Sequence, residues 1–330
     1  MSQDTWVGRR HKNMGTVAAM PAMADPPLPA LGPRPAFLVA YERLRLIATA
    51  APESAVVVAA VDPRAQVIAA LAVEDRGALV IGRHTECGIH LPAETTSLRH
   101  AIALVLCEQG HAMVRLWDAR TGVPFVTEDG ERDEAVISDG PLYASIDRHA
   151  LWFLPTAGPW PARAEQAWES LPPREVIDRR AAGAPTPAPA PALRPPPKPR
   201  SPRTTGITRL APPLFLAEGD APEIAWGEVR IARDGHREKR LISAERLERG
   251  VLLGRYERCG LTLAGDNRIS RVHLMLVRIG GDVWAIDTAS THGTTREGAR
   301  LSACVLRDVD HMQLAEYTTM DWRRTMHPEA

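Results

Sequence analysis

Several sequence patterns are scarce or missing in this chain of 330 residues, and each absence excludes a class of protein. Its four cysteines are too few for the disulfide framework of a small secreted scaffold. No apolar run approaches the roughly 18–20 residues that a membrane-spanning helix needs. Basic and acidic side chains number 40 each, so no excess of one sign favours nucleic acid or a membrane surface as a partner. We expect no nucleic acid, no membrane insertion and a cytoplasmic location.

One pattern occurs twice. Gly82–Leu91 and Gly254–Leu263 share Gly, Arg, Cys, Gly and Leu in register. Each copy then reaches a Ser-x-x-His sequence at nearly the same distance, Ser97–His100 in the first and Ser270–His273 in the second. A repeat of this length followed by a second shared motif predicts two copies of one domain.

Short apolar runs alternate with turns in both copies. Ala101–Leu106 and Ala112–Trp117 flank a turn in the first copy, and Leu274–Ile279 and Val283–Asp287 flank a Gly-Gly turn in the second. Strands at this spacing without helices between them predict all-β sandwiches. The predicted fold class is therefore all-β, with two β-sandwich domains joined by a Pro-rich linker.

Changes in composition along the chain predict five segments. Phe37–Ala50 has the apolar spacing of a short helix, and Ala164–Leu171 that of another. Ala184–Arg200 alternates Pro and Ala, which cannot build a packed core and favours an extended polyproline II spacer. The predicted segments are a disordered tail at 1–34, a short helical leader at 35–62, a first domain at 63–157, a Pro/Ala-rich linker at 158–222 and a second domain at 223–327.

Three motifs of the second copy resemble the forkhead-associated (FHA) domain family. Gly254-Arg255, Ser270–His273 and Ser290–Thr294 correspond to the family's Gly-Arg, Ser-Arg-x-His and Ser-x-Asn-Gly-Thr. The resemblance covers roughly residues 224–325 and, more weakly, 63–157. It implies an eleven-stranded β-sandwich whose loops at one end bind a phosphothreonine in an extended peptide.

The resemblance assigns five residues to the phosphopeptide. Arg255 and Ser270 correspond to the phosphate-binding positions, with Arg271 beside them, and Thr291 and His292 to those that hold the peptide backbone. A guanidinium fork and a hydroxyl donor suit a group with nearly two negative charges and three acceptor oxygens. His292 stands where the family has asparagine, and an imidazole cannot reproduce the paired donor and acceptor of an amide.

The first copy departs further from the family pattern. Leu98 replaces the arginine after the motif serine, and Asp118–Gly122 is two residues shorter than the corresponding stretch of the second copy. We expect a degenerate domain that keeps the sandwich and a remnant site formed by Arg83, Ser97 and Thr121. Whether this domain binds anything stays open.

Other chemistry has weaker support. Cys87 with His90 and Cys107 with His111 have metal-like spacings, but Cys87 recurs as Cys259 in a copy that lacks the histidine. A Ser-His catalytic pair lacks a recurring acid partner, and no phosphate-binding loop or kinase signature is present. We predict no enzyme activity, no metal and no cofactor, and we expect Cys87 and Cys259 to be buried.

The motifs together favour a phosphothreonine-peptide-binding adaptor in Ser/Thr kinase signalling, with the second domain as reader. Its expected partner is a phosphothreonine-containing protein, either a kinase or a kinase substrate. The alternative is a scaffold or interaction module that binds without phosphate. A further hypothesis is that phosphorylated Thr204, with Ile207 three residues later, docks on the second domain.

Overall fold

The structure is a computed structural model that describes residues 29–108, 111–180, 204–213, 224–233, 235–263 and 265–325. Most of the predicted N-terminal tail and the run Ala184–Arg200 lie outside the described residues. The described strands form two β-sandwiches, which confirms the predicted fold class. No helix in these ranges has the length and apolar character needed to cross a bilayer.

The first sandwich is built from eleven strands in two sheets. One sheet has the order β2-β1-β11-β10-β7-β8, and the facing sheet contains the order β9-β6-β5-β3-β4. The side chains between them form one apolar core, which includes Phe125, Leu151 and Phe153. The strands are β1 (Ala55–Val61), β2 (Val67–Glu74), β3 (Ala78–Gly82), β4 (Ile89–His90), β5 (Ala101–Glu108), β6 (His111–Asp118), β7 (Phe125–Thr127), β8 (Arg132–Asp133), β9 (Ala135–Ser138), β10 (Leu142–Ile146) and β11 (His149–Pro155).

The outer face of the β1-containing sheet is covered by helix α1 (Pro33–Ala50), which includes the predicted helix at Phe37–Ala50. Phe37 packs edge-on against Trp152 of β11 with ring centroids 5.4 Å apart. Alternate residues of β1 pack into the sandwich core or against this helix, so every residue of the strand is buried. A strand buried on both faces shows no alternation in its sequence, which explains its continuous apolar run.

The first domain extends beyond the predicted limits of 63–157. Strand β1 lies in the predicted leader at 35–62, yet it pairs with both β2 and β11. Helix α2 (Ala164–Ser170) and strands β12 (Arg174–Asp178) and β13 (Thr205–Arg209) lie in the predicted linker at 158–222. β12 pairs in parallel with β13, and β13 pairs with β9. The Pro/Ala-rich run therefore connects two neighbouring strands of one sheet.

The second sandwich repeats the first strand for strand. Its sheets have the orders β15-β14-β24-β23-β20-β21 and β22-β19-β18-β16-β17, so β14–β24 correspond to β1–β11. Helix α3 (Ala244–Arg249) precedes β16. The strands are β14 (Gly227–Arg233), β15 (His236–Ile242), β16 (Val251–Gly254), β17 (Leu261–Thr262), β18 (Leu274–Ile279), β19 (Asp282–Asp287), β20 (Thr294–Arg296), β21 (Ala299–Leu301), β22 (Ala303–Val305), β23 (Val309–Leu314) and β24 (Thr318–Arg324).

The two sandwiches pack against each other through one sheet of each. In β5, Ala101, Ala103 and Val105 face the core of the first sandwich, while the alternate side chains face the second domain. This apolar contact buries both outer faces. Its buried members are Ile102, Leu104, Leu106, Trp117, Ala119 and Ala135 from the first domain and Leu252, Cys259, Val272, Met275, Val277, Trp284 and Ile286 from the second.

Candidate functional site

Three loops meet at one end of the second sandwich. The loop that follows β16 is tied to the Ser-x-x-His loop by two backbone hydrogen bonds of 3.1 Å, from Arg255 N to Ser270 O and from Tyr256 N to Arg271 O. A Cβ atom on Gly254 would lie 2.2 Å from Arg271 O. Glycine is therefore required before the arginine, because only glycine allows the two backbones to approach so closely.

The third loop connects β19 to β20 and joins the other two at Ser270. The Thr291 backbone N–H donates to Ser270 Oγ at 3.0 Å, and the two side-chain oxygens are 3.5 Å apart. Ser270 is 7% exposed, whereas Arg255, Arg271, Thr291 and His292 are exposed. The structure thus brings the five predicted residues onto adjoining loops, with four side chains open to solvent around one buried hydroxyl.

His273 fixes the loops relative to one another. Its Nδ1 accepts a hydrogen bond from Ser270 N at 3.1 Å, and its Nε2 lies 3.4 Å from Gly293 O. The imidazole is fully buried, and that burial lowers its pKa and favours the neutral ring. Both ring nitrogens face backbone groups and the Ser270 hydroxyl contacts Thr291, so this geometry does not form a Ser-His nucleophile.

Asp287 at the end of β19 shapes the third loop. Its carboxylate accepts hydrogen bonds from Ser290 N at 2.8 Å, Ser290 Oγ at 2.6 Å and Thr294 Oγ1 at 2.7 Å. Gly293 closes the turn with a φ of +77°. Sequence reasoning did not assign Asp287 a role, although an Asp followed three residues later by Ser is a recognisable signal of a side-chain-capped turn.

The corresponding loop of the first domain has a different geometry. Thr121 donates to the Asp118 carboxylate from N at 2.9 Å and from Oγ1 at 2.6 Å, which is the bonding pattern of Ser290 rather than of Thr291. His100 Nε2 lies 2.8 Å from Val123 O, five residues after the aspartate instead of six. Gly122 comes two residues earlier than Gly293, yet both loops contain six residues between their strands, so Gly122 holds the position of Thr291. Among the described residues its N–H makes no hydrogen bond to the Ser97 hydroxyl, and Thr121 serves to hold the turn.

The other two residues of the predicted remnant site remain adjacent. Arg83 N donates to Ser97 O at 2.9 Å, as in the second domain. The Arg83 side chain is partly engaged, because its Nε donates to Thr96 O at 3.2 Å. A binding role for Arg83 and Ser97 stays a prediction.

The two repeated cysteines support the same loop in each domain. Cys87 Sγ lies 3.3 Å from Leu98 O, and Cys259 Sγ lies 3.2 Å from Arg271 O. Burial raises the pKa of the Cys87 thiol to about 11 and that of the Cys259 thiol to about 12. Both are therefore protonated, inert side chains, and no cluster of three or more His, Cys, Asp or Glu side chains suited to a metal occurs among the described residues.

Thr204 and Ile207 are not exposed together, as docking of this segment would require. Thr204 is exposed, but Ile207 is only 2% exposed within β13 and belongs to the core of the first sandwich. Docking of a phosphorylated Thr204 together with Ile207 would require β13 to leave its sheet. The geometry therefore disfavours that hypothesis.

A side chain of the first domain also reaches the loops of the second. Arg99 donates from Nε to Thr288 O at 2.7 Å and from Nη2 to Ala289 O at 2.6 Å. Its Nη2 also lies 3.3 Å from Ser270 Oγ. Sequence reasoning missed Arg99 because the motif alignment treats its position as variable and gives no sign that the two domains meet.

Comparison with known proteins places a family match in the second domain. Residues 251–315 match the model of the FHA domain. Among solved structures, the Slr1951 protein from Synechocystis sp. is 18% identical with a TM-score of 0.27, covering 30% of this chain and 99% of that one. The FHA domain of the CT664 protein from Chlamydia trachomatis is 16% identical with a TM-score of 0.27, and the match covers 30% of this chain and 98% of that one. Mycobacterium tuberculosis EmbR, in complex with a low affinity phosphopeptide, is 20% identical with a TM-score of 0.25, and the match covers 31% of this chain and 26% of that one. No curated protein matches the chain.

Proposed function

We propose that this chain, in which residues 251–315 form an FHA domain, is a phosphothreonine-peptide-binding adaptor whose second domain is the reader. The observation that carries the proposal is the loop cluster around Ser270. Its buried hydroxyl is bonded to the Thr291 backbone, and two exposed arginines, Arg255 and Arg271, lie on the adjoining loops.

The chemistry of this cluster suits a phosphate dianion. Guanidinium groups form short, charge-assisted hydrogen bonds to phosphate oxygens, and a hydroxyl adds a neutral donor. Both arginines stand on loops whose backbones are hydrogen-bonded together, so little ordering is needed before a ligand arrives. Thr291 and His292 extend the exposed surface from the phosphate position toward the peptide backbone.

The proposed setting is Ser/Thr kinase signalling in the cytoplasm. A phosphothreonine is made by a Ser/Thr kinase, so the partner is a phosphothreonine-containing protein, either a kinase or a kinase substrate. The four cysteines, all free, suit a reducing compartment. In this role the chain acts by binding and not as an enzyme.

Matched peptides test the proposal. An oriented phosphothreonine library on the full chain would first select a peptide, whose phosphorylated and unphosphorylated forms are then compared by fluorescence anisotropy. We expect binding of the phosphorylated form only, and a loss of about 10- to 100-fold in Arg255→Ala, because charge-assisted bonds contribute roughly 1.5–3 kcal/mol.

Arg83→Ala is the matched control for Arg255→Ala, since it removes the repeated arginine of the first domain. We expect it to leave affinity for the selected peptide unchanged. Equal binding of the two peptide forms, or full affinity in Arg255→Ala, would contradict the proposed function.

A scaffold that binds partners without phosphate is the second candidate. It is favoured by His292, which replaces the asparagine of the family pattern and cannot form both hydrogen bonds of an amide. The same peptide pair separates the two candidates, because a phosphate-independent module binds both forms equally.

A further inference from the structure

Arg99 makes the relation between the two domains asymmetric. In the repeat, Ser97-Leu98-Arg99-His100 aligns with Ser270-Arg271-Val272-His273, so Arg99 and Val272 hold equivalent positions. Both side chains point toward the other domain. Val272 packs in the apolar contact between the sandwiches, whereas the Arg99 guanidinium passes that contact and reaches the loops around Ser270. The first domain thus places a positive charge beside the loops of the second domain. At the equivalent position the second domain has Val272, which brings no charge to the first.

The guanidinium of Arg99 is buried without a direct counter-charge. The residue is 8% exposed, and its hydrogen bonds go to the carbonyls of Thr288 and Ala289 and to Ser270 Oγ. Within the described residues, no carboxylate pairs with Arg99 inside the 4.0 Å limit of an ion pair. Asp287 is the acidic group that acts on it electrostatically, and the Asp287 oxygens already accept from Ser290 and Thr294.

A buried cation that lacks an anionic partner is costly, and an anion bound nearby offsets that cost. The nearest functional atom is Ser270 Oγ, which lies 3.3 Å from Arg99 Nη2. A phosphate that contacts this hydroxyl would therefore come within a few ångströms of the buried charge. In a site shielded from water, that attraction is stronger than the same pair would feel at the surface.

Arg99 also determines how the Ser270 hydroxyl is used. A hydroxyl oxygen has two acceptor lone pairs and one proton to donate. The Thr291 N–H and the Arg99 Nη2–H both point at this oxygen, at 3.0 Å and 3.3 Å. With both lone pairs engaged, the O–H group acts only as a donor. It points at Thr291 Oγ1 over a long 3.5 Å contact, which a phosphate oxygen can replace.

We propose that Arg99 of the first domain is a further residue of the phosphothreonine site in the second domain, where it orients the Ser270 hydroxyl and adds positive charge. This inference rests on the proposed function. It assigns the first domain a role in reading, even though its own loops depart from the family pattern.

The test compares two arginine-to-glutamine variants of the full chain. Arg99→Gln removes the positive charge and the planar set of guanidinium donors but keeps a polar side chain. We expect affinity for the phosphothreonine peptide to fall about 10-fold. Arg120→Gln is the matched control, because Arg120 is a half-buried arginine of the first domain whose Nη1 donates to Pro213 O. We expect Arg120→Gln to bind the same phosphothreonine peptide with an affinity within about twofold of that of the wild type.

A double-mutant cycle with Ser270→Ala separates orientation of the hydroxyl from support of the fold. If Arg99 acts through Ser270, Arg99→Gln should weaken binding much less in the Ser270→Ala background than in the wild type. Equal losses in both backgrounds would overturn the orienting role. Should Arg99→Gln fail to fold, as judged by thermal unfolding, Arg99→Lys keeps the charge, and we expect it to bind several-fold more weakly than the wild type.

The outcomes distinguish this inference from the proposed function. If the wild type prefers the phosphorylated peptide and Arg99→Gln or Arg99→Lys binds it equally well, Arg99 is not part of the site and the proposed function stands. If the wild type shows no preference for the phosphorylated peptide, the proposed function fails and the role of Arg99 fails with it.

Discussion

In the second domain the Thr291 N–H reaches across to Ser270 Oγ, whereas among the described residues the first domain has no corresponding hydrogen bond from Gly122 N–H to Ser97 Oγ. The surrounding framework is nevertheless the same, with eleven corresponding strands in identical order. Both loops contain six residues between their strands, so different hydrogen bonding, and not loop length, separates them without altering the sandwich. The comparison shows that the fold and the binding geometry depend on different residues.

Three of the residues that recur in both copies have framework roles. The repeated glycine allows a close backbone contact, the repeated cysteine lies against a carbonyl of the Ser-x-x-His loop, and the repeated histidine fixes that loop to the next turn. The positions that differ include Leu98 and Arg271, and also Arg99 and Val272. These lie at the loop cluster or at the contact between the domains.

The largest expected effect comes from the repeated glycine. A Cβ atom at position 254 would lie 2.2 Å from Arg271 O, and one at position 82 would lie 2.5 Å from Leu98 O. Since both obstacles are backbone atoms, we expect Gly254→Ala and Gly82→Ala each to lower the free energy of unfolding by about 2–4 kcal/mol. Urea unfolding measures this.

Gly281→Ala is the matched control, because no atom lies within 4 Å of its added Cβ. A small effect of Gly82→Ala beside a large one of Gly254→Ala would show that the first domain does not need the framework that both copies share.

A smaller effect is expected from the aspartate of the first-domain turn. Burial raises the pKa of Asp118 to about 6, against the bonds from Thr121 that lower it. Between about pH 4 and pH 6 the folded state therefore holds a proton that the unfolded state has lost. The free energy of unfolding falls as the pH rises through that window. We expect this contribution to change by about 3 kcal/mol, and urea unfolding at several pH values measures it.

Asp118→Asn is the variant that isolates this effect, since an amide does not titrate. The difference in unfolding free energy between wild type and variant should vary between pH 4 and pH 6 and level off above it. A difference independent of pH would show that the pKa of Asp118 is the same in the folded and unfolded states, despite its burial.

The sequence predicted the two sandwiches because glycine turns and alternating strands are local signals. The limits of the first domain were wrong for a physical reason. β1 is apolar on both faces, so it lacks the alternation that marks a strand, and β12 and β13 are short strands separated by the Pro/Ala-rich run. Their pairing depends on contacts distant in sequence, which no local pattern records.

The same limit applies to the loop cluster. Arg255, Ser270, Arg271 and Thr291 were identified through the family motifs, and the structure places them on adjoining loops. Arg99 belongs to no motif, because its position depends on the packing of one sandwich against the other. A side chain delivered across a contact between domains can be found only once that contact is known.

The smallest expected effect sharpens the comparison at the peptide-binding side of the cluster. His292 is exposed beside Thr291, where the family pattern has asparagine. An amide offers a donor and an acceptor side by side, which matches the N–H and C=O of an extended peptide, whereas an imidazole offers one bond per ring nitrogen. We expect His292→Asn to bind the phosphothreonine peptide about 3- to 10-fold more tightly, as measured by anisotropy, because one added hydrogen bond contributes about 1 kcal/mol. His236→Asn, on the exposed hairpin strand β15, is the matched control and should leave affinity unchanged. Weaker binding by His292→Asn would mean that the imidazole itself contacts the peptide, so that this reader selects ligands through a ring where the family pattern has an amide.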